Sequence, residues 1–293
     1  MMRDGKAGKN TGGAVCVLSV LCLALFLTDC AGDNKAAEQT GQSEDWLAQR
    51  TERDRRTKHD LRTAPEDMEK TDRVDLNACE TGQVVLSGND IWLSGSLEGQ
   101  VIIDAEEDEL VHLYLDGVEI TSPNGPALCV QEAAKVVVTL VSDTESVLAD
   151  FPDYTDFEET PACLYSVCDL TLNGGGALQV FGYHEDGIRS KDRIKILDCA
   201  LSVQAKGDGI RGNDGIYMQG AFVSVESEKS GLRTVDQGAD ERGVIEMDGG
   251  ALSVIAGKNG ICAAADVYVY DGRYSVNAVE ETVKAEGTAY IAE

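Results

Sequence analysis

The second half of the chain alternates apolar and polar residues in short runs that return at a fixed interval. Ile194 and Ile196 are matched by Ile216 and Met218, by Ile245 and Met247, and by Val267 and Val269. The next pair in each unit is Leu201 and Val203, then Val223 and Val225, Leu252 and Val254, and Tyr274 and Val276. Alternation of period two predicts strands that bury one face. A glycine motif keeps the same step: Asp186-Gly187-Ile188, Asp208-Gly209-Ile210, Ser230-Gly231-Leu232, Asn259-Gly260-Ile261 and a fading Glu281-Thr282-Val283. The step is 22 residues, apart from a seven-residue insertion before Asn259. Three short strands per repeat predict an all-β solenoid, a right-handed single-stranded parallel β-helix with three-strand rungs of about 22 residues. Residues 22 apart then stack on adjacent rungs, about 4.8 Å from each other.

Strand-like runs begin near Val84 and continue at 101–103, 111–115, 118–120 and 136–141 without the clean repeat, as capping coils do. An acidic, aromatic loop over 149–159, with Phe151, Tyr154 and Phe157, interrupts the pattern. Loops that leave a solenoid often carry binding, which makes Tyr154 a candidate ligand contact; the alternative is a solvated insertion whose aromatics cover a core edge. At the amino terminus Arg3, Lys6 and Lys9 precede an apolar run over 14–27, the pattern of a secretory signal peptide. That run is shorter than the roughly 20 residues a membrane span needs. Leu27-Thr28-Asp29-Cys30 resembles a bacterial lipobox, with Cys30 as the lipidation site and Asp29 a departure from it. Residues 31–81 are polar and dense in both charges, which reads as a disordered tether. The domains expected are therefore a leader over 1–30, a tether over 31–81 and the repeat domain over 82–293.

Charge narrows the partners. The chain carries 52 acidic against 25 basic residues, a net charge of −27. General attraction to nucleic acid or to an anionic membrane surface is excluded on that balance. A lipid on Cys30 is then the expected route to a membrane. Of nine cysteines, Cys16, Cys22 and Cys30 fall in the leader, and the other six lack metal spacing, so they read as free thiols.

The repeat places carboxylates in columns. Asp186 and Asp208 share one column, and Asp192 and Asp214 a second, each pair one rung apart. Like charges about 5 Å apart repel, and two such columns suit Ca²⁺, which takes six to eight oxygen ligands. Asp236, with Asp240 and Glu241, offers a looser site. Aspartate before glycine also arises for backbone reasons alone. A basic column of Arg189, Arg211 and Arg233 ends, past Cys262, at Lys284. Such arginines form salt-bridge ladders with neighbouring aspartates, or hold the carboxylates of an acidic sugar.

The segment Ala162-Cys163-Leu164-Tyr165-Ser166-Val167-Cys168-Asp169-Leu170-Thr171-Leu172-Asn173-Gly174-Gly175-Gly176, followed by the Asp-Gly-Ile units, resembles a family of bacterial carbohydrate-binding parallel β-helix proteins. These are exported, often as lipoproteins, and similar in structure to family 9 polysaccharide lyases. The resemblance spans about 84–285 and implies calcium and an acidic polysaccharide such as polygalacturonate. Cys168 stands where that family has an acidic residue, and Ser230, Asn259 and Ala265 thin the acidic columns, which implies fewer calcium sites. The expected function is a non-catalytic, exported binder of acidic polysaccharide acting through calcium. A calcium-dependent lyase is the enzymatic alternative, with Lys191, Lys206 or Arg211 as its base. A structural surface fibre without a ligand is the third reading.

Overall fold

The computed structural model describes residues 56–80, 82–154, 161–236 and 242–292, all within one compact unit over Ala36–Glu293. The apolar pairs read from the sequence do align on neighbouring parallel strands. Ile194 is opposite Ile216, Ile216 opposite Ile245, and Ile245 opposite Val267. Leu201, Val223, Leu252 and Tyr274 align in the same way. The isoleucines and Val267 lie at 2% exposure or less, so the alternation marks one continuous core. Burial of this apolar column is the main stabilising term, at about 25 cal/mol per Å² removed from water.

The architecture departs from the expected open right-handed β-helix. The strand Leu110–Ser122 pairs through its first half with Lys135–Leu140 and through its second with Glu145–Asp150. At the other end Val244–Ala256 pairs with both Gly215–Gln219 and Phe222–Ser227. From Leu110–Ser122 one ladder runs through Lys135–Leu140, Asp169–Asn173, Arg193–Leu197 and Gly215–Gln219 to Val244–Ala256. It returns through Phe222–Ser227, Ala200–Ala205, Ala177–Gly182 and Glu145–Asp150. These ten parallel strands close into a barrel, with further strands added to it. The physical reason is that two runs expected as separate strands fuse around a corner. Gly117 turns the first corner at φ +63°, and Gly249 and Gly250 the second at +77° and +79°, values that glycine adopts without a Cβ penalty. Alternation reports which side chains face inward and is blind to closure.

The additional strands include Ala162–Ser166, Asp186–Ser190, Ile210–Gly212, Leu232–Arg233, Ile261–Ala263 and Val283–Ala285, paired in that order. They carry the glycine motif. A Cβ on Gly187, Gly209, Gly231 or Gly260 would collide with Cγ1 of Val203, Val225, Val254 or Val276 respectively. Glycine at each repeat therefore lets this ladder close on the valine column of the core.

Residues 56–80 depart from the tether that their composition suggests. Asp60 is fully buried on the outer face of the barrel, where its carboxylate accepts from Lys135, from Lys195 at 2.9 Å and from Thr171 at 2.6 Å. Asn173 Nδ2 donates to the carbonyls of Asp60 and Arg62, at 2.7 and 3.0 Å. Arg62 pairs with Asp90, and Asp72–Asp75 adds a parallel strand beside Ile91–Ser94. The attachment rests on one buried carboxylate and its donors, so no apolar periodicity announces it. The leader, Cys30 and residues 31–55 lie outside the described residues.

Candidate functional site

One outward column of the additional strands changes character along its length. Ile102 aligns with Cys129, Cys129 with Tyr165, and Tyr165 with Arg189. Arg189 then aligns with Arg211, Arg211 with Arg233, Arg233 with Cys262, and Cys262 with Lys284. Its first part is apolar and covered: Ile102, Cys129, Ala162 and Tyr165 form a buried cluster separate from the main core. Its second part is a line of guanidiniums repeating at about 4.8 Å. The structure thus brings Arg189, Arg211 and Arg233 together as expected.

Tyr154 is buried and does not offer its ring to solvent. Its hydroxyl donates to Asp150 Oδ2 at 3.1 Å, and its ring stacks on His184 at 3.9 Å between centroids. Asp150 is itself fully buried and accepts the backbone N–H groups of Tyr183 and His184 at 2.6 and 3.2 Å. Burial pushes its carboxyl up to about 6, against the lowering by those donors. This group fastens the start of the acidic loop. Sequence reasoning left the loop open between binding and covering a core edge, and missed Asp150, whose backbone donors lie 33 and 34 residues away.

The arginines are flanked by the motif aspartates. Asp186 and Asp208 are buried, and each accepts the backbone N–H of the next repeat, from Asp208 at 2.8 Å and from Ser230 at 2.9 Å. Arg189 lies 3.7 Å from Asp186, while Arg211 and Arg233 lie 4.0 and 3.3 Å from Asp208. Burial, then the charge of Asp208, pushes Asp186 up to about 6. Burial lowers the pKa of Arg211, and Arg189 and Arg233 lower it further. The central guanidinium is thus under repulsion from both basic neighbours, and the Nε–H groups of Arg189 and Arg211 are buried without an acceptor among the described residues. Three cations share two carboxylates already engaged with backbone amides. Such a line favours an added anion.

The expected calcium ligands are used differently. Asp214 forms an ion pair with Arg242 at 3.7 Å, and Asp236 accepts a hydrogen bond from the same guanidinium at 3.0 Å. Asp214 donates its backbone N–H to the carbonyl of Asp192 at 3.1 Å, one strand away as expected. Burial raises the pKa of Asp192, with Asp169 and Asp214 adding to it, and burial also raises that of Asp214. Among the described residues, no three His, Cys, Asp or Glu side chains are grouped to hold a metal ion. Asp186 and Asp208 serve amides and arginines, so that column does not fit a calcium cage. Asp240 and Glu241 lie outside the described residues. The expected lyase bases do not converge: Lys191 follows one end of the Asp186–Ser190 strand, and Lys206 precedes the opposite end of the next motif. Both are exposed. The six cysteines are free, as expected, with Cys129 and Cys262 in one column five strands apart.

A family described as carbohydrate-binding domain-containing protein matches residues 82–291. A protein so described from Acetivibrio thermocellus is 36% identical over 201 residues, covering 67% of this chain and 70% of that protein. A solved structure described as a polysaccharide lyase-like protein from C. thermocellum, gadolinium derivative, superposes with a TM-score of 0.68 at 25% identity. That likeness covers 76% of this chain and 88% of the other.

Proposed function

The chain belongs to the family of carbohydrate-binding domain-containing proteins, and from that premise we propose that it is an exported, non-catalytic binder of acidic polysaccharide. The polymer is of polygalacturonate type, and its carboxylates lie along Arg189, Arg211 and Arg233. The observation that carries this reading is the in-register line of guanidiniums, the middle one repelled by both its neighbours. A carboxylate set between two of them accepts forked N–H donors and relieves that repulsion, a geometry lysine does not match. Arg233 and Lys284 are more exposed than Arg189 and Arg211, so the line opens toward Lys284. Export rests on the leader pattern over 1–30, and attachment to a membrane on Cys30.

Recognition by arginine assigns no step to calcium. Binding of the full chain to polygalacturonate is measured with calcium and with chelator. Retained binding in chelator, lost on Arg211→Gln, supports the arginine line. Binding abolished by chelator returns the role to a metal and overturns it. Ultraviolet absorbance of unsaturated product, followed in the same samples, separates a binder from a lyase.

A further inference from the structure

His112 is an outward residue of the barrel. Val111, Leu113 and Leu115 of its strand Leu110–Ser122 face the core, so His112 and Tyr114 face away from it. His112 is nonetheless only 1% exposed. Its cover is residues 57–62, which lie as a strap over this face. The His59 ring stands 5.7 Å from the His112 ring between centroids. Arg62 pairs with Asp90, the residue aligned with His112 on the next strand. Neither ring nitrogen of His112 has a hydrogen-bond partner among the described residues. A buried polar ring left in that condition is rare in folded proteins.

We propose that His112 is an acid-sensitive latch on this strap: neutral, it lets residues 57–62 lie on the barrel, and protonated, it drives them off. The charges around the ring carry the argument. From the strap it meets His59 and Arg62, and from the strand Lys135–Leu140 it meets Lys135. Asp90 is the opposing carboxylate, but it already holds Arg62 and accepts the Tyr114 hydroxyl at 3.4 Å. Asp60, further along the strap, is engaged by Lys135, Lys195 and Thr171. An imidazolium here is a further cation beside Arg62 and Lys135, out of water, with both nearby carboxylates already committed. Once the strap lifts, water reaches the ring, and His59 and Arg62 leave with the strap. Leu61, the strap's one large apolar side chain, is 51% exposed, so its hold on the barrel is polar. Burial, then the charge of Arg62, pushes His112 down to about 4, against 6.5 for an ordinary histidine. The closed strap is therefore favoured above about pH 6.5 and loses ground as pH falls toward 4. Asp60 stays charged over that range, because donation from Lys135, Thr171 and Lys195 outweighs its burial. Release uncovers Thr139, Thr171, Asn173 and the two lysines, the donors that serve the strap.

Hydrogen exchange of the full chain tests this at the amides of Thr57, Asp60, Leu61 and Arg62, each hydrogen-bonded within the strap. Their protection, corrected for the intrinsic pH dependence of exchange, should fall by about 100-fold between pH 7 and pH 4. The barrel strands should keep theirs. His112→Phe keeps a buried ring and removes the titration, so its strap should be equally protected at both pH values. The same fall in His112→Phe as in the unaltered chain overturns the proposal and assigns the effect to another group. A strap that stays protected at pH 4 in the unaltered chain overturns it too. If His112→Phe does not fold, imidazole NMR of the unaltered chain, which has three histidines, reads the same latch. A His112 midpoint well below 6.5 that moves together with strap release supports it. Titration of His112 near 6.5 with the strap still protected overturns it.

Discussion

Oδ1 of Asp186 accepts the backbone N–H of Asp208 at 2.8 Å, so the carboxylate of one motif satisfies the amide of the next. Asp208 does the same for Ser230 at 2.9 Å. The aspartate column is thus first a backbone device, and its negative charge is held beside arginines rather than presented to a cation. Burial sets the consequence, since a carboxylate removed from water favours its neutral form.

Asp186 should make stability depend on pH. Its pKa stands near 6 in the folded chain against 3.8 for an ordinary aspartate, through burial and then the charge of Asp208. The folded state therefore holds the proton more tightly, and this contribution is full below about pH 4 and lost as pH rises through about 6. Asp186→Asn keeps an oxygen for the Asp208 amide and removes the titration. The variant should match the parent at pH 4 and exceed it at pH 7 by about 2 kcal/mol. Parallel melting curves for the two proteins across that range would refute the assignment.

The motif glycines should be intolerant of a single methyl group. A Cβ at position 209 meets Val225 in the core and lies 2.6 Å from the carbonyl oxygen of Gly231. Gly209→Ala is expected to cost about 1–3 kcal/mol through overpacking. Gly215→Ala, whose nearest contact would be Val244 O at 3.1 Å, should cost less. Urea unfolding of both variants gives the comparison, and equal midpoints would remove the steric explanation of the repeat.

Asp60 should be the pin of the amino-terminal strap. Removing its carboxylate takes away the counter-charge that the buried Lys195 and the half-buried Lys135 share, a loss of about 3–5 kcal/mol for a broken buried pair. Asp60→Ala should therefore lower the urea midpoint and expose 56–80 to protease. Burial raises the pKa of Asp60, but donation from Lys135, Thr171 and Lys195 outweighs it and holds the group well below the usual range. Its contribution is present above about pH 4 and lost only as pH falls through the folded value. A variant as protease-resistant as the parent would show that the strap is held by something else.

Much of this was legible in the sequence, and the reasons for the rest are specific. Register was readable because Ile194, Ile216, Ile245 and Val267 must face one core, and a slip of one residue would turn them outward. Closure was not, because it depends on strands that bend at Gly117 and at Gly249-Gly250, and a turn glycine looks the same whether the ladder closes or stays open. The arginine line was readable for the same reason as the core, as a column at constant spacing. The roles of Asp60 and Asp150 were hidden because their partners lie up to 135 residues away along the chain. The place of Tyr154 was not legible, because an aromatic in an acidic loop gives no sign of whether its ring faces solvent or stacks on His184.

The arginine line yields the sharpest functional test. Arg211 sits between Arg189 and Arg233, so one carboxylate on either side of it is held by two guanidiniums, and Arg211 contributes to both. Arg211→Gln keeps hydrogen-bonding capacity but removes the charge and the fork. With hydrogen bonds to charged groups worth about 1.5–3 kcal/mol each, affinity for polygalacturonate should fall by roughly 10- to 100-fold. Arg273→Gln, on the exposed barrel face opposite Ala251, should leave it unchanged. Ionic strength adds a second reading. The net charge of −27 repels a polyanion from a distance, and about 0.1 M salt screens charges more than about 10 Å apart. The half-buried guanidiniums act at contact and are screened less. Affinity should therefore rise from very low salt to about 0.1 M before falling at higher salt. Titration of polymer against parent and both variants across that series measures it. Equal losses for Arg211→Gln and Arg273→Gln would mean that general charge, and not the line, holds the ligand.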